Sequence, residues 1–384
     1  MHTLSSVAQF VDSDFGPDPY FERYLSRGQV SCTNRHIEYM FRIMWPLLSS
    51  YRKIIVAQKA FTSYTALAPV APGDRDGTYI APGHVLFVDF PGKGKTLLGS
   101  IPAVVLGGRF TRFQGAFDNL APDYLGHRYP DFDANGKKIY KLEEGPAFGD
   151  IQLIDEINRN TEKMQGHLLP VLAEGKIILA GQIYQRQPFA IMTMNQIESE
   201  GVNPIIEALA DRIMFKLRGE WFTAKDFSEI GERSARFGEL RGELKQVCDI
   251  STIHEIREFV LKQIYVDPDL RQNRMGRFAE ISNNPQRFGY LAQYSKHLDG
   301  APILKSGLWG RAFTHWLGAA QALAFFRYRD YVLPEDAKKV LLPIMRHRVV
   351  FAPGVVRRLK NVFGYIDQEE TIDRILSDLI KEAF

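Results

Sequence analysis

The segment Asp89-Phe90-Pro91-Gly92-Lys93-Gly94-Lys95-Thr96 joins an apolar run, HVLFV, to a stretch of helical character, TLLGSIPAVV. Gly92 and Gly94 let successive backbone N–H groups converge on phosphate oxygens. The Lys95 ammonium would reach the β and γ phosphates, and the Thr96 hydroxyl would ligate Mg²⁺. The pattern is G-x-x-x-x-G-K-[ST] with its first glycine replaced by Asp89. A carboxylate there is unfavourable beside a triphosphate unless it points away, pairs with Lys93 or helps hold the metal. Out of context, the same residues would make a glycine turn with two solvated lysines; the flanking strand and helix favour a phosphate loop. Asp155-Glu156 close a second apolar run, IQLI, and Asn195 closes a third, FAIMTM. Alone, an acidic pair ending a strand is better read as a helix N-cap, and a strand-end Asn as a turn former. Joined to the phosphate loop they form a set: Asp155 directed at Mg²⁺, Glu156 polarising a water, Asn195 bonding the γ phosphate or that water.

Chemistry of this kind needs the three runs side by side. Each reads as a buried parallel strand with polar residues at its carboxyl end, where ligands collect in open α/β sheets. Two hairpin signals interrupt this core: Asn135-Gly136 between YPDFD and KKIYKL, and Ala180-Gly181 between KIILA and QIYQR. Beyond about residue 219 the apolar residues recur at helical spacing, as in IHEIREFVLKQIYV, WLGAAQALAFF and IDRILSDLIKEAF. At the other end, DSDFGPDP at 12–19 denies both helix and strand, so residues 1–50 read as an extension with a terminal arm.

Composition narrows the classes further. With 384 residues, 48 Lys+Arg and 45 Asp+Glu, the chain lacks the single-sign excess of a nucleic-acid or membrane-surface protein. Its basic clusters, LRQNRMGRF and RHRVVFAPGVVRRLK, read as solvated helix faces and subunit contacts. Cys32 and Cys248 have neither disulfide-framework nor zinc spacing, which suits a reducing cytoplasm. No apolar segment is long enough to span a bilayer, and neither a His-Glu-x-x-His nor a Gly-x-Ser-x-Gly pattern is present.

The stretches PGKGKT, GPAFGDIQLIDEINRNT, AEGKIILAGQIY, PFAIMTMNQIE, EALADRIMFKL, GRA and DYVLPEDAKKVLLPIMRHR, in this order, resemble the MoxR family of AAA+ ATPases from roughly residue 51 to the C-terminus. The resemblance implies an α/β fold: an AAA+ P-loop core with a parallel sheet sandwiched by helices (51–218, with two hairpin insertions), then an all-helical lid (219–384), with 1–50 preceding both. It implies ATP and Mg²⁺ as cofactors, with Pro91, Gly92, Lys93, Gly94, Lys95, Thr96 and Leu97 around the nucleotide and Thr96 and Asp155 at the metal. Glu156, Asn195, Arg212 and Arg311 take the catalytic places, Arg212 as the arginine finger in Ala-Asp-Arg and Arg311 as the lid arginine in Gly-Arg-Ala. Without the family, Arg212 would read as an ion-pair partner of Asp211 or Glu207 and Arg311 as a solvated helix-start arginine. The stretch KSGLWG ahead of Arg311 departs from the Ser-Pro that family members usually carry.

The resemblance also implies a homo-oligomer, a hexameric ring, that remodels or matures a protein client in the cytoplasm, through a partner with a von Willebrand factor A domain, without nucleic acid or membrane insertion. The hairpins would then face a central pore. Tyr129, Phe132 and Tyr140 of the first would either grip a polypeptide or cover the hairpin's own apolar face. Two alternatives stand beside this reading: a hydrolysis-impaired nucleotide-binding scaffold, in which Asp89 weakens turnover, and a metal-insertion motor of the magnesium-chelatase type.

Overall fold

Runs of five or six apolar residues are too short for buried helices and long enough for strands, and they become the centre of the sheet. In a computed structural model, which describes residues 32–77, 79–88, 95–194 and 203–384, the strands in chain order are β1 (Pro72–Asp76), β2 (Tyr79–Pro82), β3 (His84–Val88), β4 (Phe110–Gln114), β5 (Gly126–Phe132), β6 (Lys138–Glu144), β7 (Ile151–Asp155), β8 (Lys176–Leu179), β9 (Gln182–Gln185), β10 (Phe189–Met194), β11 (Ile213–Arg218), β12 (Leu304–Ser306) and β13 (Val350–Phe351). Five of them make one parallel sheet in the order β11-β3-β10-β7-β4. The expected α/β core with a helical C-terminal part is therefore borne out.

Alternation assigns the two faces of the sheet. Val85 and Phe87 of β3 join the larger apolar core, with Leu98, Ile101 and Val105 of the helix Lys95–Val105. Leu86 and Val88 join a second core, with Met164, Leu168 and Val171 of the helix Glu162–Glu174. That helix starts on Thr161, whose hydroxyl accepts from the Met164 amide at 3.3 Å. It stops at Gly175 (φ +64°), where a Cβ would meet the Arg186 carbonyl at 2.1 Å.

His84 ties three elements together. Its Nδ1 accepts from the Ala190 amide at 3.2 Å, so its Nε2 carries the proton donated to the Leu172 carbonyl at 2.9 Å.

Among the described residues, the first helix is Asn34–Tyr39, ahead of the expected boundary at 50. The segments Asn34–Tyr39, Met40–Met44 and Trp45–Ile54 run on through that boundary and bury Ile37, Phe41, Met44, Leu47 and Tyr51 in the larger core. The C-terminal half packs around the helix Gly310–Phe326, whose Trp316, Ala319 and Ala320 are fully buried. It is joined to β11 by Lys216–Glu369 (2.8 Å) and by Arg348 donating to the Ile213 carbonyl at 2.5 Å.

Candidate functional site

The register of the sheet brings three strand ends into one row. Thr193 and Met194 of β10 pair with Phe87 and Val88 of β3, and Met192 pairs with Ile154 of β7, so Asp155 lies level with Thr193. Val88 ends β3 beside this row, and the helix Lys95–Val105 starts after six intervening residues of the chain. Asp89, Pro91, Gly92, Lys93, Gly94 and Asn195, with the side chains of Lys95 and Thr96, lie outside the described residues. Leu97 is half-buried and packs on the larger core.

The two carboxylates are brought together as expected, with neighbours the sequence reading did not name. Thr193 donates its hydroxyl to Asp155 Oδ1 at 2.5 Å and accepts from the Glu156 amide at 2.9 Å. Arg112 of β4 donates to Asp155 Oδ2 at 2.7 Å. Two residues on, Gln114 donates to Glu156 Oε2 at 2.9 Å, and Arg159 meets the same oxygen at 3.0 Å. Glu156 itself sits in the left-handed region at φ +52°, a strained place for a side-chain residue. Gly115 makes room for it: a Cβ there would meet the Glu156 carbonyl at 2.1 Å. The signals for these neighbours are the i,i+2 spacing of Arg112 and Gln114, which puts both on one side of a strand, and a lone hydroxyl inside the run FAIMTM.

No group of three or more His, Cys, Asp or Glu able to hold a metal by itself exists among the described residues. One carboxylate backed by a hydroxyl suits Mg²⁺, which keeps several waters and takes phosphate oxygens for the rest. Asp155 would fit such a metal where the Arg112 guanidinium gives up Oδ2.

The arginines occupy the other end of the sheet. Strand β11 runs parallel to β3 with Ile213 beside His84, so Arg212 stands at the amino end of β3 while residues 89–96 follow its carboxyl end in the chain. Five residues at about 3.3 Å each put the two ends of β3 roughly 16 Å apart. Arg212 donates to the Ala208 carbonyl at 2.7 Å and forms no ion pair among the described residues, so the pairing with Asp211 or Glu207 is absent. Arg311 is no solvated helix-start residue. Its Nε meets Asp74 of β1 at 3.1 Å and its Nη1 meets Asp211 at 2.5 Å.

Behind it, buried His315 lies 3.3 Å from Asp74 and 2.6 Å from Arg348 Nη2. Burial, and then the Arg348 charge, hold His315 below its usual pKa. Burial pushes the Asp74 carboxyl up, but the hydrogen bond from His315 and the charge of Arg311 outweigh it and hold it below the usual carboxylate range. Arg212 and Arg311 line one cleft of about 1000 Å³ together with Lys305, Trp309 and Val350.

Both predicted hairpins form. β5 and β6 pair from Gly126↔Glu144 to Phe132↔Lys138, and β8 and β9 close through Ala180 and Gly181, both at positive φ. Tyr129, Phe132 and Tyr140 are exposed, as are the cross-strand partners Ile178 and Ile183. Arg128 and Lys138 of the same hairpin lie over the Tyr140 ring, 5.6 and 5.4 Å from its centroid.

Residues 84–215 match the family described as "ATPase family associated with various cellular activities (AAA)", and residues 301–361 match the AAA lid domain. The chain is 32% identical over 273 residues to Chaperone MoxR1 of Mycobacterium tuberculosis, spanning 71% of this chain and 68% of that protein. It is 30% identical over 280 residues to YeaC of Bacillus subtilis (71% and 79%) and 26% identical over 279 residues to the MoxR protein of Paracoccus denitrificans (71% and 81%). A crystal structure of an assumed ATPase from Cytophaga hutchinsonii superposes with a TM-score of 0.72 at 23% identity, covering 92% of this chain and 98% of that one, a likeness of fold. Among the described residues, no helix is long and apolar enough to cross a membrane.

Proposed function

The chain belongs to the MoxR family of AAA+ ATPases, and from that premise we propose that it hydrolyses ATP in a head-to-tail ring in which one copy holds the nucleotide and the next completes the reaction. The observation that carries this reading is the register of β11 on β3, which sets Arg212 about one strand length from the loop of its own chain. An arginine so placed serves a neighbour's γ phosphate or none, and a forked guanidinium suits the charge that builds there. Arg311 shares the cleft with Arg212, so it too faces the neighbour.

Within one copy, the amides of Pro91 to Leu97 cradle the phosphates and Lys95 draws charge from the terminal ones. Thr96 and Asp155 would hold Mg²⁺, which when bound supplies further charge neutralisation. Glu156 orients the attacking water, its own carboxylate steadied by Gln114 and Arg159, and Asn195 hydrogen-bonds the γ phosphate or that water. Lid movement, coupled to turnover, then shifts the two hairpins. Exposed Tyr129, Phe132 and Tyr140 grip an unfolded segment of a protein client. The name of the mycobacterial relative supports a chaperone role, and the family resemblance supports a hexamer, a cytoplasmic setting and a partner with a von Willebrand factor A domain.

Phosphate release with ATP and Mg²⁺ tests the proposal. Lys95→Ala should abolish turnover and nucleotide binding, and Glu156→Gln should abolish turnover while ATP stays bound. Unchanged hydrolysis in both would remove the assignment. Asp89 and the Arg112 guanidinium on Asp155 favour a second reading, a nucleotide-held scaffold; turnover confined to Asp89→Gly would support it over the motor.

A further inference from the structure

We infer that the cleft around Arg311 seats a second copy of this chain head to tail, with Trp309 as its anchor and the Phe117–Leu120 turn of that copy as the surface it packs on. This rests on the ring proposed above and names its contact. Trp309, the residue before the helix Gly310–Phe326, is 68% exposed. Its indole N–H is tied to Ser306 Oγ at 2.6 Å. The ring is thus oriented before any partner arrives, which removes much of the ordering cost of using a large side chain in an interface. Val350, also exposed, lines the same cleft and widens the apolar patch.

The opposite end of the sheet carries a second patch. Phe117 and Leu120 are 80% and 67% exposed, in the turn that leaves β4 beside Gln114 and the two carboxylates. This turn is also set in advance: Asn119 Nδ2 donates to the Gln114 carbonyl at 2.8 Å and to Asn160 Oδ1 at 2.9 Å, and the Leu120 amide donates to Asp123 at 2.7 Å. The two patches lie at opposite ends of one parallel sheet, so they cannot meet within a chain. Between chains they meet in one sense only, the sense that carries Arg212 and Arg311 toward the end holding the phosphate loop, Asp155 and Glu156.

Charge agrees with shape. Lys305 and Arg212 of the cleft have no ion-pair partner among the described residues, and Asp118, between Phe117 and Asn119, presents an exposed carboxylate. A patch and its complement on opposite ends of the same chain make a heterologous contact, which closes into a ring when the rotation permits.

The test uses the full chain with ATP and Mg²⁺. A double variant, Trp309→Cys with Phe117→Cys, should give under mild oxidant a ladder of covalently linked subunits on non-reducing gels. Each single variant should stay at the background set by native Cys32 and Cys248. In parallel, Trp309→Ala should raise the concentration midpoint of assembly tenfold or more in sedimentation velocity, with unchanged circular dichroism. No ladder from a double variant that still hydrolyses ATP, or assembly of Trp309→Ala within twofold of wild type, overturns the contact and leaves the ring standing. A wild-type chain that stays monomeric and inactive overturns both.

Discussion

A single hydroxyl, that of Thr193, holds both the Asp155 carboxylate and the backbone of Glu156. It donates to Asp155 and accepts from the amide that opens the strained turn at Glu156. Thr193→Val keeps the volume and removes the link, leaving a half-buried amide without its partner at a cost of about 1–3 kcal/mol. Turnover should fall about tenfold or more, since Glu156 loses its orientation, while the urea midpoint drops only modestly. A variant as active as wild type would show that Thr193 is packing alone.

Buried histidines set a second residue-scale effect. Burial, outweighing the Leu172 hydrogen bond, pushes His84 down to about 4, and His36 is held at about 4 in the same way. Unfolded, each titrates near 6.5. The unfolded chain therefore binds protons first as pH falls. The stability these groups contribute is complete above about 6.5 and is lost between there and 4. By pH 5 the loss should reach about 2 kcal/mol for each, read as a lower urea midpoint at pH 5 than at 7.5. His84→Gln, which keeps a donor and an acceptor, should reduce that dependence by its own share; equal wild-type midpoints at both pH values would contradict it.

At the scale of elements, backbone approach matters as much as side chains. β4 and β7 are joined at their ends by Gly115, whose amide donates to the Asp155 carbonyl at 2.7 Å. Gly115→Ala would force a methyl against the Glu156 carbonyl, so it should lower turnover sharply with the fold retained. Gly166, inside the helix Glu162–Glu174, has open space where a Cβ would stand. Gly166→Ala should leave turnover unchanged and stabilise by up to about 1 kcal/mol. Phosphate release and thermal melting of the pair separate local crowding from a general effect of alanine.

The same elements show what was readable in advance. β3, β7 and β10 are continuous apolar runs because both their faces are covered, and the hairpins announced themselves through Asn135-Gly136 and Ala180-Gly181. Arg112 and Gln114 escaped notice because β4 is an edge strand with one face toward the carboxylates, so its pattern is half polar. The segment Asn34–Ile54 has apolar residues at helical spacing, but the turn-rich DSDFGPDP before it outweighed that signal. The clamp of Asp74 on Arg311 joins residues 237 positions apart, and only the packing of β1 under the helix Gly310–Phe326 brings them together.

For the whole molecule, the proposed ring has the consequence that neither end of a subunit is a complete site. One end has the phosphate loop, Asp155 and Glu156; the other has Arg212 and Arg311, held in place by Asp74 and Asp211. On that proposal, damage to either end should silence a homogeneous ring, but the two kinds of damage are complementary. Lys95→Ala subunits retain sound arginines, and Arg212→Ala subunits retain a sound loop. Where an Arg212→Ala subunit offers its loop to the arginines of a Lys95→Ala neighbour, a whole site is rebuilt. Random mixing in equal amounts should make about a quarter of the interfaces of this kind, so two inactive preparations should regain up to roughly a quarter of wild-type phosphate release when unfolded and refolded together or exchanged at low concentration. Activity that appears on mixing, and vanishes when one partner carries both substitutions, requires a site shared between subunits. A mixture as inactive as its parts, in rings that demonstrably exchange, would return the arginines to their own chain and contradict the strand register from which the sharing is argued.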